Sequence, residues 1–176
     1  ISACLVGSEM CIRDRYADKY SRPDFLEYAI QHAYAIFDKT KDQDSGLLYH
    51  AWDANKEMEW ADPETGLSPE FWGRSIGWVP VAMLDIMDKM DSSSQDYAKL
   101  STLLKELLIA ICRYQSEEGR WYQVVNKGNI DGNWLENSCS CLFTNAISRA
   151  VQKGILDKTY LDNALSLIHI SEPTRQ

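Results

Sequence analysis

The chain has 176 residues, 25% of them charged, and a formal net charge of −8. Bulk charge of that sign makes a poor polyanion binder and argues against a nucleic-acid partner, and no apolar stretch approaches the length of a membrane span. The length suits one domain with a sizeable core.

Five helices are predicted. Pro23 and Asp24 open the first, since proline suits the first helical position and an acid the first turn. Leu26, Ala29, Ile30, Ala33, Tyr34 and Phe37 then recur at three and four, one amphipathic stripe. His32 lies beside that stripe and is read as structural. A second helix is expected over 72–90. A third is expected over 95–115, with Leu100, Leu103, Leu104, Leu107, Leu108 and Ile111 facing inward. The fourth covers 138–153, with Gly154 as its stop, and the fifth starts near 158.

The connections repeat. DSGLLYHAWD (44–53) and EEGRWYQVVN (117–126) each follow a helix and read as turn, glycine, then a short aromatic extended segment. ADPETGLSPEFW and KGNIDGNWLENS, both polar loops, lead from them to the next helices. Gly46 and Gly119 stand 73 residues apart, the mark of a weak repeat of helix pairs. Such pairs stack, because one pair cannot bury its own apolar face. Alternate loops then share an edge, which places both aromatic segments on one rim, where function commonly lives. Connections this long are unusual in a simple bundle and suggest a helical toroid with a working face.

His50, Trp52, Trp60, Trp72, Arg74 and Trp78 lie in or beside the first long loop. Arg74 and Trp78 are four apart and share a helix face, while Ile76, Val79, Met83 and Met87 form a core stripe opposite. An aromatic platform beside a guanidinium suits a sugar ring carrying a carboxylate: the ring stacks and the fork pairs with the anion. The bland reading stands beside it, with aromatic core residues and an arginine salt-bridged to Asp85 or Asp53. Asp44, Asp53, Asp62, Glu64 and Glu70 could supply a general acid or be solvated loop residues. The sequence has no glycine-rich phosphate loop, no H-E-x-x-H and no G-x-S-x-G elbow. Cys112, Cys139 and Cys141 suggest neither a disulfide framework nor a zinc site and are read as small core residues.

GLLYHAWD, EWADPETGLSPEFWGRSIGW, GRWYQVV and GNWLENSCSCLF, in that order and spacing, resemble glycoside hydrolase family 105. These are the unsaturated rhamnogalacturonyl hydrolases, related to the unsaturated glucuronyl hydrolases of family 88. The resemblance implies an all-α fold, about five helices of an (α/α)6 barrel. It implies a substrate with an unsaturated uronic acid at its non-reducing end, a pectin fragment left by a polysaccharide lyase. His50, Trp72, Arg74 and Trp78 match positions lining the family's sugar pocket. His50 and Arg74 would hold polar groups, and Trp72 and Trp78 would form the walls. In this chemistry an aspartic acid protonates the vinyl-ether double bond, water adds, and the resulting hemiketal opens to release the aglycone. The resemblance implies no metal, no organic cofactor and no nucleic-acid, membrane or protein partner, and it favours the cytoplasm. The alternatives are an unsaturated glucuronyl hydrolase and a non-catalytic helical-repeat sugar-binding module.

Both ends depart from the pattern. Residues 1–15 and 166–176 resemble translated sequencing-adapter read-through, which leaves 16–165 as the partial glycoside hydrolase domain. The family's acid/base aspartate is expected near position 4, where the required segment is lacking, and Asp14 and Asp18 do not match it. No catalytic residue is therefore assigned, and the chain itself is expected to be inactive.

Overall fold

The computed structural model describes residues 23–171. The tract 1–15, the position expected for the acid, and Asp14 and Asp18 lie outside the described residues, as do 172–176. Among the described residues there are five α-helices: α1 Pro23–Thr40, α2 Gly73–Met87, α3 Gln95–Cys112, α4 Asn137–Gln152 and α5 Leu161–Ser171. A short 3-10 turn, Lys158–Tyr160, leads into α5, and two short strands, β1 Trp121–Tyr122 and β2 Leu135–Glu136, precede α4. The helix α5 continues through 166–171, positions that the sequence assigns to a flanking tract.

Helix α2 is the central element and packs chiefly on α4. Its Ile76, Val79, Met83 and Met87 are buried as expected, but so are Ala82, Leu84 and Ile86. The expected half-polar helix is therefore a buried one. Its accessible side is a narrow strip carrying Arg74, Trp78, Val81 and Asp85. Two glycines allow the close approach of α4. A Cβ on Gly77 would lie 2.8 Å from that of Leu142, and one on Gly73 would lie 3.0 Å from Cys139 Cβ.

The remaining stripes follow the sequence periodicity. Ala29, Ile30, Ala33 and Phe37 of α1 and Leu100, Leu104, Leu107, Leu108 and Ile111 of α3 are buried in one core. Leu103 is only partly buried and packs against it. Ser94 caps α3 by accepting from Tyr97 N at 3.2 Å. This satisfies one of the amides a helix start leaves without a partner. Gly154 closes α4 with φ +72, the left-handed conformation glycine adopts without strain. Of the cysteines, Cys139 is buried and Cys112 half-buried, but Cys141 is exposed, which corrects its reading as a core residue.

The two loops are built alike. Gly46 (φ +76) and Gly119 (φ +74) both take the left-handed conformation at the turn after a helix. The chain then runs into extended segments, with isolated pairings Lys41–Leu48 and Trp52–Leu67 in the first loop and the β1–β2 ladder in the second. The loops also meet. Trp72 pairs antiparallel with Val124, Gly73 N donates to Gln123 O at 2.7 Å, and Val125 N donates to Phe71 O at 3.0 Å. The shared rim expected from the repeat is this junction.

Candidate functional site

The junction gathers three of the four candidate residues. Trp72 occupies the cap position of α2 in an extended conformation, which sets its ring between the other two. The guanidinium of Arg74 lies over the indole at 4.6 Å from the ring centroid. The His50 ring meets the same indole edge-on, at 6.1 Å and 90°. The indole under the arginine is thus Trp72's, where sequence spacing points to Trp78, one turn further along. Trp78 stands on the same strip of α2, 38% exposed.

Each polar group is held from behind. Arg74 Nη1 donates to Glu136 Oε1 at 2.8 Å, and Ser138 Oγ donates to the same oxygen at 2.5 Å. Glu136 is buried whereas the arginine is half-exposed, so the acid anchors and the cation reaches outward. One Nη1 bond leaves most of the five guanidinium N–H donors for another partner. His50 Nδ1 lies 2.9 Å from Glu70 O. A carbonyl can only accept, so Nδ1 carries the proton and Nε2 is the nitrogen left for a ligand. The His50 segment is tied to α2 by Ser75 Oγ, which donates to His50 O at 3.2 Å.

Asp85 and Asp53 are occupied elsewhere, which corrects both partners expected for Arg74. Asp85 pairs with Arg149 at 2.8 Å. Asp53 accepts from Asn55 N, Glu57 N and Met58 N at 3.1, 2.8 and 3.0 Å and so organises its own loop. Asp62 does the same for Glu64 N and Thr65 N at 3.0 and 2.7 Å. These bonds to backbone amides hold both carboxyls below the usual carboxylate range. Neither is poised as a proton donor near neutral pH.

Three buried polar atoms at this rim lack a partner among the described residues: Trp72 Nε1, Glu136 Oε2 and Glu70 Oε2. Together the groups offer a flat aromatic surface, an outward cation fork and a histidine acceptor. That set can take a ring with an anionic substituent.

The model of Glycosyl Hydrolase Family 88 matches residues 10–169. The chain belongs to this family. A Rhizobium radiobacter relative, the 24.9 kDa protein in the picA locus, is 32% identical over 151 residues, 86% of this chain and 64% of the relative. A solved family 105 glycoside hydrolase of C. acetobutylicum ATCC 824 superposes with a TM-score of 0.89 at 29% identity, over 94% of this chain and 46% of its own. A possible family 105 member from Salmonella enterica serovar Paratyphi A superposes at 0.84 with 19% identity, over 96% of this chain and 43% of that one. That last likeness concerns the fold alone. The chain thus spans just under two thirds of the curated relative and less than half of each of the two solved structures. Its place among the family 88 and 105 glycoside hydrolases agrees with the resemblance read from the sequence.

Two residues at the junction escaped sequence reasoning in their present roles. Glu136 lies within the quoted GNWLENSCSCLF motif, and its signal was an acid set directly before a helix of small residues. The sequence offers Glu70 only as one of several possible acids. Its carbonyl orients His50, while its carboxylate pairs with Lys127 at 2.6 Å.

Proposed function

We propose that this family 88 protein recognises an unsaturated uronic acid at the non-reducing end of an oligosaccharide, and that His50, Trp72, Arg74 and Trp78 form its binding site. The observation that carries the reading is the Arg74 guanidinium, stacked on Trp72 and anchored by buried Glu136. A planar carboxylate conjugated to a ring double bond fits that fork while the ring lies against the aromatic wall. Trp78, on the same strip of α2, would extend the wall. The favoured substrate is the unsaturated rhamnogalacturonyl end of a pectin fragment, cleaved by hydration of the vinyl ether. The match to the family 88 model favours, as the second reading, an unsaturated glucuronyl end. The chain is taken as part of an (α/α)6 barrel, with the proton-donating aspartate assigned to no residue of this sequence.

The test is a titration of the 176-residue chain with an unsaturated uronyl disaccharide, followed by calorimetry, alongside an assay for loss of the sugar's ultraviolet absorbance. Binding without turnover is expected. Arg74→Ala should weaken binding by about 1.5–3 kcal/mol, the range for a hydrogen bond to a charged group. Arg74→Lys should recover only part of that, since lysine keeps the charge and loses the fork. Equal affinity in all three proteins would remove Arg74 from the site. Protein-dependent turnover would show that the chain carries its own acid.

A further inference from the structure

The first long loop holds a cavity of about 420 Å³ whose lining includes none of His50, Trp72, Arg74 and Trp78. Its walls are aromatic and apolar: Tyr49, Trp60, Leu67 and Pro69. The Tyr49 ring is backed by Phe71, 4.5 Å away between centroids, which fixes its orientation. Trp60 is 39% exposed. Its segment is closed by two backbone bonds, Ala61 N donating to Met58 O and Asp62 N to Leu67 O, both at 2.9 Å.

The polar side of the cavity carries one sign of charge. Its lining has no lysine, arginine or histidine. The Thr65 hydroxyl is spent, donating to Asp62 Oδ1 at 2.8 Å and accepting from Leu67 N at 3.3 Å. Asp62 Oδ1 also accepts from the Glu64 and Thr65 amides. These bonds keep the carboxyl ionised and leave its other oxygen for a ligand. Burial, then the charges of Asp42, Asp44 and Asp62, push the Tyr49 hydroxyl above its ordinary value, so three carboxylates act on this wall. Lys56, whose charge acts on Asp62, donates to the Glu64 carbonyl.

We propose that this cavity binds a small quaternary ammonium compound, with Trp60 and Tyr49 as the faces for the cation and Asp62 as its counter-charge. A cation shielded by methyl groups needs no hydrogen-bond acceptor and is drawn to the negative face of an aromatic ring, indole most strongly. Leu67 and Pro69 suit the methyl groups. A primary ammonium is held more tightly by water, and its three donors would find one free carboxylate oxygen. An anion would meet carboxylates and no cation. The volume lies within the ~300–1,000 Å³ of small-molecule sites. No residue is shared with the proposed uronate site, so either ligand can bind without the other.

Nuclear magnetic resonance titrations of the 176-residue chain test this. The probes are choline, its uncharged isostere with a tert-butyl group in place of the trimethylammonium, ethanolamine, and a neutral methyl hexoside. Choline should bind about tenfold more tightly than the isostere, the worth of cation–π contacts with two rings. It should also bind more tightly than ethanolamine or the hexoside. Shifts should centre on the Trp60 indole and the Ala61 and Thr65 amides. Trp60→Leu, apolar but without a π face, should remove the preference for choline, and Trp60→Phe should restore part of it. Asp62→Asn keeps an acceptor for the two amides and loses the charge, so it should weaken choline and leave the isostere unchanged. Amide protection at Glu64 and Thr65 shows whether a variant has kept its loop. Where one has not, the ligand comparison in the unaltered protein decides. Equal affinity for choline and its isostere, no binding of choline, or tighter binding of ethanolamine or the hexoside would overturn the proposal.

Discussion

Arg74 and Glu136 lie 62 residues apart in sequence, and their side chains meet at 2.8 Å. The contact ties the start of α2 to the start of α4, and it is asymmetric: Glu136 is buried, whereas 42% of the arginine side chain is exposed. Losing the arginine strands a carboxylate away from water. Losing the carboxylate's charge leaves a cation that water can still reach. Breaking a fully buried pair costs about 3–5 kcal/mol. Discounted for the exposed partner, Arg74→Met should cost roughly 1–3 kcal/mol. Glu136→Gln, which preserves shape and one acceptor, should cost under about 1 kcal/mol. Urea unfolding measures both, and a glutamine variant less stable than the methionine one would sink the account.

Gly77 tests the packing that brings those helix starts together. A Cβ there would meet Leu142 Cβ at 2.8 Å, and that atom is fixed to the backbone of α4, so it cannot rotate away. Alanine would gain helix propensity worth up to about 1 kcal/mol, but overpacking costs typically about 1–3 kcal/mol. The steric term wins. Gly77→Ala should lower the melting temperature and, by pushing α4 outward, lengthen the Arg74–Glu136 contact. An unchanged or raised melting temperature would mean that α2 and α4 are not closely packed there.

Helix positions were legible in the sequence because each core stripe repeats every three to four residues with little ambiguity. The observed ends of α2, α3 and α4 fall within three residues of expectation. The shared rim was legible too, from the matched Gly46 and Gly119 turns. Pairing across the chain was not. Nothing local to SPEFWGRSIGWV says that its arginine will choose Glu136 over Asp53 or Asp85. That choice depends on which loop amides already occupy Asp53, and on Arg149 reaching Asp85 from α4. The near-complete burial of α2 was hidden for a related reason. Gly73 and Gly77 look neutral by hydropathy, yet their small size is what lets α4 cover them.

The cysteines offer a chemical check on burial. Burial pushes the Cys139 thiol up to about 12, with the nearby Glu136 charge adding to it, and burial alone does the same for Cys112. The thiolate is the reactive form, so at pH 8 both should resist alkylation. Cys141 is exposed one turn into α4. Peptide mapping after brief iodoacetamide treatment should find Cys141 modified at least tenfold faster than Cys112 or Cys139, judged by how far their thiols lie above the ordinary range. Comparable labelling of Cys139 in the folded protein would contradict the α2–α4 interface.

The first long loop should respond to acid before the helices do. Asp53 is held below its usual value of 3.8 by the Met58, Glu57 and Asn55 amides, and Asp62 by the amide and hydroxyl of Thr65 and the amide of Glu64. A carboxyl whose folded pKa lies below its unfolded one binds fewer protons when folded. The stability it contributes is therefore present above the unfolded value and is lost as pH falls through the folded value. For both residues that window lies below pH 3.8. Amide exchange at Glu57, Met58, Glu64 and Thr65 should be protected at pH 5 and lose protection as pH falls below that value. Asp53→Ala should abolish the protection at Glu57 and Met58 at every pH while leaving that at Glu64 and Thr65 in place. Because Asp53 N also donates to Gly66 O at 2.8 Å, a bond the substitution keeps, the two halves of the loop should stay joined. Loss of protection at Glu64 and Thr65 in the Asp53→Ala protein would show that the two carboxylates act as one unit, contrary to the separate amide clusters that each one holds.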